Sequence, residues 1–128
     1  MNLQALPEEA LKEILALTEA KKKLDIREEA VEKFMPFAHH VYDNFIEGRH
    51  HRIIAEKLEQ VAQGKLKRLI INMPPRHSKS EFASFLMPAW FLGRNPKLII
   101  IQASQNTELA VRFGRKLRDL IDYPAYKE

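Results

Sequence analysis

Apolar positions in the first half of the chain recur at helical spacing. Pro7 followed by Glu8 and Glu9 reads as a helix start, with acids at the positive end of the dipole. Leu11, Ile14, Leu15 and Thr18 keep the spacing until the run Lys21–Lys22–Lys23. Asp25 is placed to cap a second helix with Ile26, Ala30 and Phe34 on one face. Pro36 should kink or end that helix, because it lacks a donor for the carbonyl of Glu32 and clashes with it. A short helical stretch through Phe37, Val41 and Phe45 then closes at Gly48. The third predicted helix, about His50 to Gln63, presents Ile54, Leu58 and Val61, and Gly64 suits the residue just past its end.

The pattern then changes. Arg68-Leu69-Ile70-Ile71-Asn72 and Lys97-Leu98-Ile99-Ile100-Ile101-Gln102 are apolar runs that helical periodicity does not explain. Runs of this kind suit strands covered on both faces of a parallel sheet. The residues between them, Met73 to Pro96, have room for a loop, a helix and a return, which predicts a right-handed βαβ unit. Leu109, Phe113, Leu117, Leu120 and Ile121 mark the apolar face of a following helix. The fold expectation is therefore α/β: a parallel βαβ unit and its following helix, an incomplete P-loop nucleotide-triphosphatase arrangement behind an α-helical N-terminal arm.

Composition narrows the function classes. The 128 residues carry no cysteine, which removes disulfides, thiolate nucleophiles and Cys-type zinc sites and suits a reducing cytoplasm. No apolar run approaches the roughly 20 residues of a membrane span, so no membrane role is expected. Charge is uneven: residues 1–35 hold 6 bases and 8 acids (−2), while 36–128 hold 15 bases and 9 acids (+6). A basic body behind an acidic arm is compatible with a polyanionic partner, DNA or nucleotide.

The candidate chemistry sits at the junction of the first run and the next helix, Met73-Pro74-Pro75-Arg76-His77-Ser78-Lys79-Ser80-Glu81. A phosphate-binding loop needs a tight turn with inward amides, a Lys at its end, and Ser or Thr next, opening a helix. The Lys neutralises phosphate charge and the hydroxyl joins the Mg²⁺ shell. Lys79-Ser80 satisfies that order. The glycine pattern is not matched, since Met73 and Ser78 occupy the two glycine positions, and Gly is used at the second for positive φ and close backbone approach.

This loop resembles the deviant Walker A loop of the large terminase subunits of tailed phages, P-P-R-x-G-K-S. Phe45, His50–His51, Leu58-Glu59 and Gly64 upstream are similar to that family's approach to the loop. Downstream, Pro88-Ala89-Trp90, Gly93-Arg94-Asn95-Pro96, Ile101-Gln102-Ala103-Ser104, Glu108-Leu109-Ala110 and Arg112-Phe113-Gly114-Arg115-Lys116 resemble its helix end, turn, second strand and following helix. The likeness covers about residues 34–126.

The resemblance implies the N-terminal part of an ATP-driven DNA-packaging motor whose full form also carries an RNase H-like nuclease. It implies residues 1–48 as the helical arm and 49–128 as the first part of the ATPase domain. It implies ATP and Mg²⁺ as cofactors, with Pro74, Pro75, Arg76, His77, Ser78, Lys79 and Ser80 around the phosphates. Lys79 would contact β- and γ-phosphates, Ser80 the Mg²⁺, and Arg76 would sense the γ-phosphate, a role suited to a permanently charged, bidentate guanidinium. Implied partners are double-stranded DNA, the small terminase subunit, the portal protein and further copies of the chain, in the cytoplasm of a bacterial host. Hydrolysis also needs a strand-end acid and a group that orients water. Leu120-Ile121-Asp122 does not supply the apolar run and Asp-Glu pair expected for it, so the chain by itself is expected to bind ATP without turning it over. The rival expectation is a non-catalytic interaction module with no nucleotide affinity.

The remaining polar residues have quieter readings. His39–His40 and His50–His51 point about 100° apart on a helix, unlike a metal-binding i,i+4 pair, and are expected at the surface or in packing. His51 is placed to border an adenine by resemblance, with packing preferred. Arg112, Arg115, Lys116 and Arg118 suit either DNA phosphates or a solvated face, and Trp90, Phe82, Phe85 and Phe91 suit a core.

Overall fold

Helix α1 (Glu8–Glu32) opens the computed structural model, which describes residues 7–42 and 44–127. Pro7 and the acids Glu8 and Glu9 start it as their chemistry requires. The expected interruption before Asp25 does not occur: α1 runs unbroken for 25 residues. The lysines and leucine at 21–24 are good helix formers, and an interior Asp costs only about 0.7 kcal/mol, too little to stop a helix.

The break comes at Lys33, whose φ of −120° and ψ of 141° are extended. α2 (Phe34–Val41) follows, and Pro36 lies in its first turn, where a missing N–H costs nothing. Phe45 falls beyond α2, and Gly48 opens the next helix instead of closing this one. α3 (Arg49–Ala62) ends as foreseen, with Gly64 at φ +70° and its N–H donating to the carbonyl of Val61 at 3.0 Å. After the loop at 73–78 a helix starts at residue 79. It widens into a π-helical segment (Glu81–Leu86) and continues as α4 (Met87–Arg94). α5 (Thr107–Asp122) is capped by the Asn106 side chain, which accepts from the N–H of Leu109 at 2.8 Å. The four-residue α6 (Pro124–Lys127) ends the described chain.

One aromatic-centred core joins these helices. Phe34, Phe82 and Trp90 are its fully buried rings, with Phe34 edge-on to Phe82 (5.3 Å) and to Trp90 (5.6 Å). Leu58 from α3, Leu86 from the π-helical segment and Leu120 from α5 complete it. Of the four aromatic residues expected in the core, Trp90, Phe82 and Phe85 are buried there, among helices and not against a sheet, while Phe91 is only half-buried.

The α/β expectation is overturned. Among the described residues there is no strand and no sheet, so the βαβ unit and the incomplete P-loop arrangement built on it are absent. Residues 68–72 and 97–102 lie outside any regular element, and no backbone hydrogen bond joins them. The physical reason lies in their coverage. Leu69, Ile71 and Met73 pack against the helical core while Ile70 stays 85% exposed, and Ile99 and Ile101 are 91% and 90% exposed. Alternate residues of the first run are half-buried on helices without needing a ladder, and every residue of the second from Lys97 to Ile101 is exposed, so neither run is covered on both faces. No described helix is long and apolar enough to cross a membrane.

Candidate phosphate-binding loop

Two prolines stiffen the entry to the loop, and the turn spans residues 75–78. Arg76 adopts φ 64° and Ser78 φ 60°, while His77 between them does not. Alternation of this kind turns successive N–H groups toward a common concavity. Serine thus takes the left-handed conformation that glycine supplies in the G-x-x-x-x-G-K-[ST] pattern, at a cost of roughly 1–2 kcal/mol. His77 helps hold it: Nδ1–H donates to the carbonyl of Pro75 at 2.9 Å. The Ser78 carbonyl then accepts from the N–H of Phe82 at 2.9 Å, so Lys79 and Ser80 stand at the free N-terminus of the helix.

Residues 73–81 enclose a concavity of ≈ 430 Å³. Arg76, His77, Lys79 and Ser80 are exposed, Ser78 half-buried, and among the described residues neither Arg76 nor Lys79 has a carboxylate in ion-pair range. Glu81, the one acid lining the concavity, pairs with Lys116 of α5, whose ammonium also lies 4.3 Å from the centre of the Phe85 ring. An anion at the loop therefore meets two cations, the helix N-terminus and a neutralised acid. The loop's donors and charges suit holding an oxyanion. The Glu81–Lys116 contact spans 35 residues and leaves no signal in the local pattern.

The start of α3 buttresses the loop. The His50 ring meets His77 edge-on at 5.6 Å and lies 3.8 Å from the His51 ring. His51 is buried, stacks on Phe82 at 5.0 Å, and its Nδ1 accepts from the N–H of Gly48 at 2.9 Å. That bond places the hydrogen on Nε2, which has no partner. Burial first, then the neighbouring His50 and His77, holds His51 below the ordinary imidazole range, while Glu47 opposes them. His51 is thus a neutral packing residue that fixes the first turn of α3.

No family model, curated protein or solved structure matches the chain.

Among the described residues no group of three or more His, Asp or Glu side chains could hold a metal ion. Of the four cations of α5, Lys116 is taken by Glu81 and Arg118 by Asp119 at 2.7 Å. Arg112 and Arg115 carry no ion pair among the described residues. The pairs at Lys116 and Arg118 leave this face less basic than its sequence reads.

Proposed function

We propose that residues 74–80 bind the phosphates of Mg·ATP. The loop's alternating backbone, running into a helix that begins with Lys79-Ser80, is the observation that carries this reading. The likeness of Met73–Glu81 to the loop of large terminase subunits supports a nucleoside triphosphate over a simple anion. In this reading Pro74 and Pro75 shape the turn, while His77 and Ser78 present its amides. Lys79 neutralises β- and γ-phosphate charge, Ser80 completes the Mg²⁺ shell, and Arg76 addresses the γ-phosphate. Magnesium offsets phosphate charge when bound with the nucleotide. The wider proposal is a terminase-like component of a phage DNA-packaging motor in the bacterial host cytoplasm. Its partners there are double-stranded DNA, the small terminase subunit, the portal protein and further copies of the chain.

Isothermal calorimetry with Mg·ATP and Mg·ADP, beside a phosphate-release assay, tests the loop. Wild type should bind ATP weakly and release no phosphate, Lys79→Ala should lose binding, and Arg76→Ala should weaken ATP more than ADP. Undiminished ATP binding by Lys79→Ala would remove the loop from the account. A second reading, an interaction module without nucleotide affinity, draws on the exposed Ile70, Ile99 and Ile101, and predicts no heat with either nucleotide.

A further inference from the structure

Every residue of α1 from Lys12 to Ile26 is exposed, and the body begins to cover the helix only at Arg27 and Ala30. Such an arm, about 22 Å long at 1.5 Å per residue, is short for a stable free helix in water. Most of its side chains are polar, yet several apolar ones stand exposed, and some of these recur in register. Ala10, Leu17, Leu24 and Val31 are seven residues apart, and Ile14 fills a half-step between the first two. Leu17 is 63% exposed, Leu24 54% and Ile14 40%. A seven-residue repeat keeps one seam facing a partner helix.

Charge selects the partner and its direction. From Glu8 to Glu19 the arm has four acids and one base (−3), and Lys21–Lys22–Lys23 follow at once (+3). A parallel copy would set the lysine block against itself. An antiparallel copy lays it over the acid-rich half of its neighbour.

We propose that α1 is a self-association arm that pairs antiparallel with α1 of a second copy of this chain. The two-fold axis passes at the level of residue 19, where the fully exposed stretch is centred. In this register Ile14 of each copy packs against Leu24 of the other, and Leu17 packs on the aliphatic stem of Lys21. The ammonium of Lys21 reaches outward, toward the acid-rich half that holds Glu13. Residues 12–26 overlap fully, and the covered ends of α1 stay outside the pair. The interface is isologous, so it closes at two copies.

The natural absence of cysteine makes the register directly readable. Sedimentation or light scattering on the whole chain should show a concentration-dependent dimer, and Leu17→Glu should return it to monomer with its helical spectrum and melt retained. Ile14→Cys and Leu24→Cys, mixed and mildly oxidised, should form the cross-linked heterodimer. Each alone should stay reduced, because its own symmetry mate is about 15 Å away, beyond disulfide reach. Three results would overturn the proposal. They are a monomer at every concentration, self-linking of Ile14→Cys as fast as the mixture, and association that survives Leu17→Glu but is lost in Ile99→Thr/Ile101→Thr.

Discussion

The indole N–H of Trp90 donates to the carbonyl of Ala30 at 3.0 Å, inside the core and across 60 residues of sequence. That carbonyl is available because α1 stops at Glu32, and the Phe34 N–H that would have reached it is taken by the Glu59 carboxylate at 2.8 Å. The helix break therefore exposes one acceptor and one donor, and two side chains from α4 and α3 satisfy both. What ends α1 also fastens it to the body.

Trp90→Phe should destabilise the fold by about 2 kcal/mol or more, since the Ala30 carbonyl stays buried without a donor and packing is lost. Glu59→Leu should be costly for the matching reason, and Glu59→Gln milder because its amide oxygen still accepts. Urea denaturation of the three variants checks the order.

Pro88 has no N–H to give the carbonyls of the turn before it, among them that of Ser84. Gln102 donates its side-chain amide to that carbonyl at 2.7 Å. Gln102→Leu should cost about 1–2 kcal/mol, and the cost should shrink in a Pro88→Ala background, where a backbone donor returns. Equal losses in both backgrounds in a double-mutant cycle would show that the two residues act independently.

Ser78→Gly should relieve the positive φ and leave stability unchanged or raised by up to about 1 kcal/mol, the strain relief being opposed by the freer unfolded chain. Ser78→Val, β-branched at φ 60°, should lose roughly 2 kcal/mol. Thermal melts of both variants give the comparison.

Acid should weaken the fold through His51. Its folded pKa lies below the ordinary 6.5, so above that value both states are neutral and its contribution is complete. As pH falls through 6.5 the unfolded imidazole binds a proton that the folded one resists, and stability declines. His51→Gln, which keeps an acceptor for Gly48, should flatten stability between about pH 7 and 5. Glu47 acts in a lower window. The hydrogen bond from His39, then that from Arg52, holds its carboxyl below 4.5, so its contribution is present above 4.5 and is lost as pH falls through the folded value. Denaturation midpoints across pH separate the two.

Ile99→Thr with Ile101→Thr should reduce binding of an apolar-surface dye without lowering the melting temperature, because both side chains face solvent. A marked loss of stability would mean that these residues are packed.

Local chemistry determined more of this protein than its fold class suggests. The 3.6-residue period located α3 and α5, and Gly64 closed α3, because spacing and caps act within a few residues of one another. The sequence marked Ser78 as a departure from the glycine pattern of a phosphate-binding loop, and the structure shows that serine itself adopts the positive φ there. A strand is different: whether Arg68–Asn72 or Lys97–Gln102 joins a sheet depends on a ladder partner elsewhere, and β-branched runs look alike with or without one. Tertiary packing decided that the first run rests one side on helices, that Lys97 to Ile101 stays exposed, and that neither joins a ladder. It also decided that α1 continues to Glu32 before Glu59 and Trp90 secure its end, and that Glu81 at the loop is neutralised by Lys116. Those outcomes depend on groups brought together by the folded body, and no local window of the sequence holds both partners.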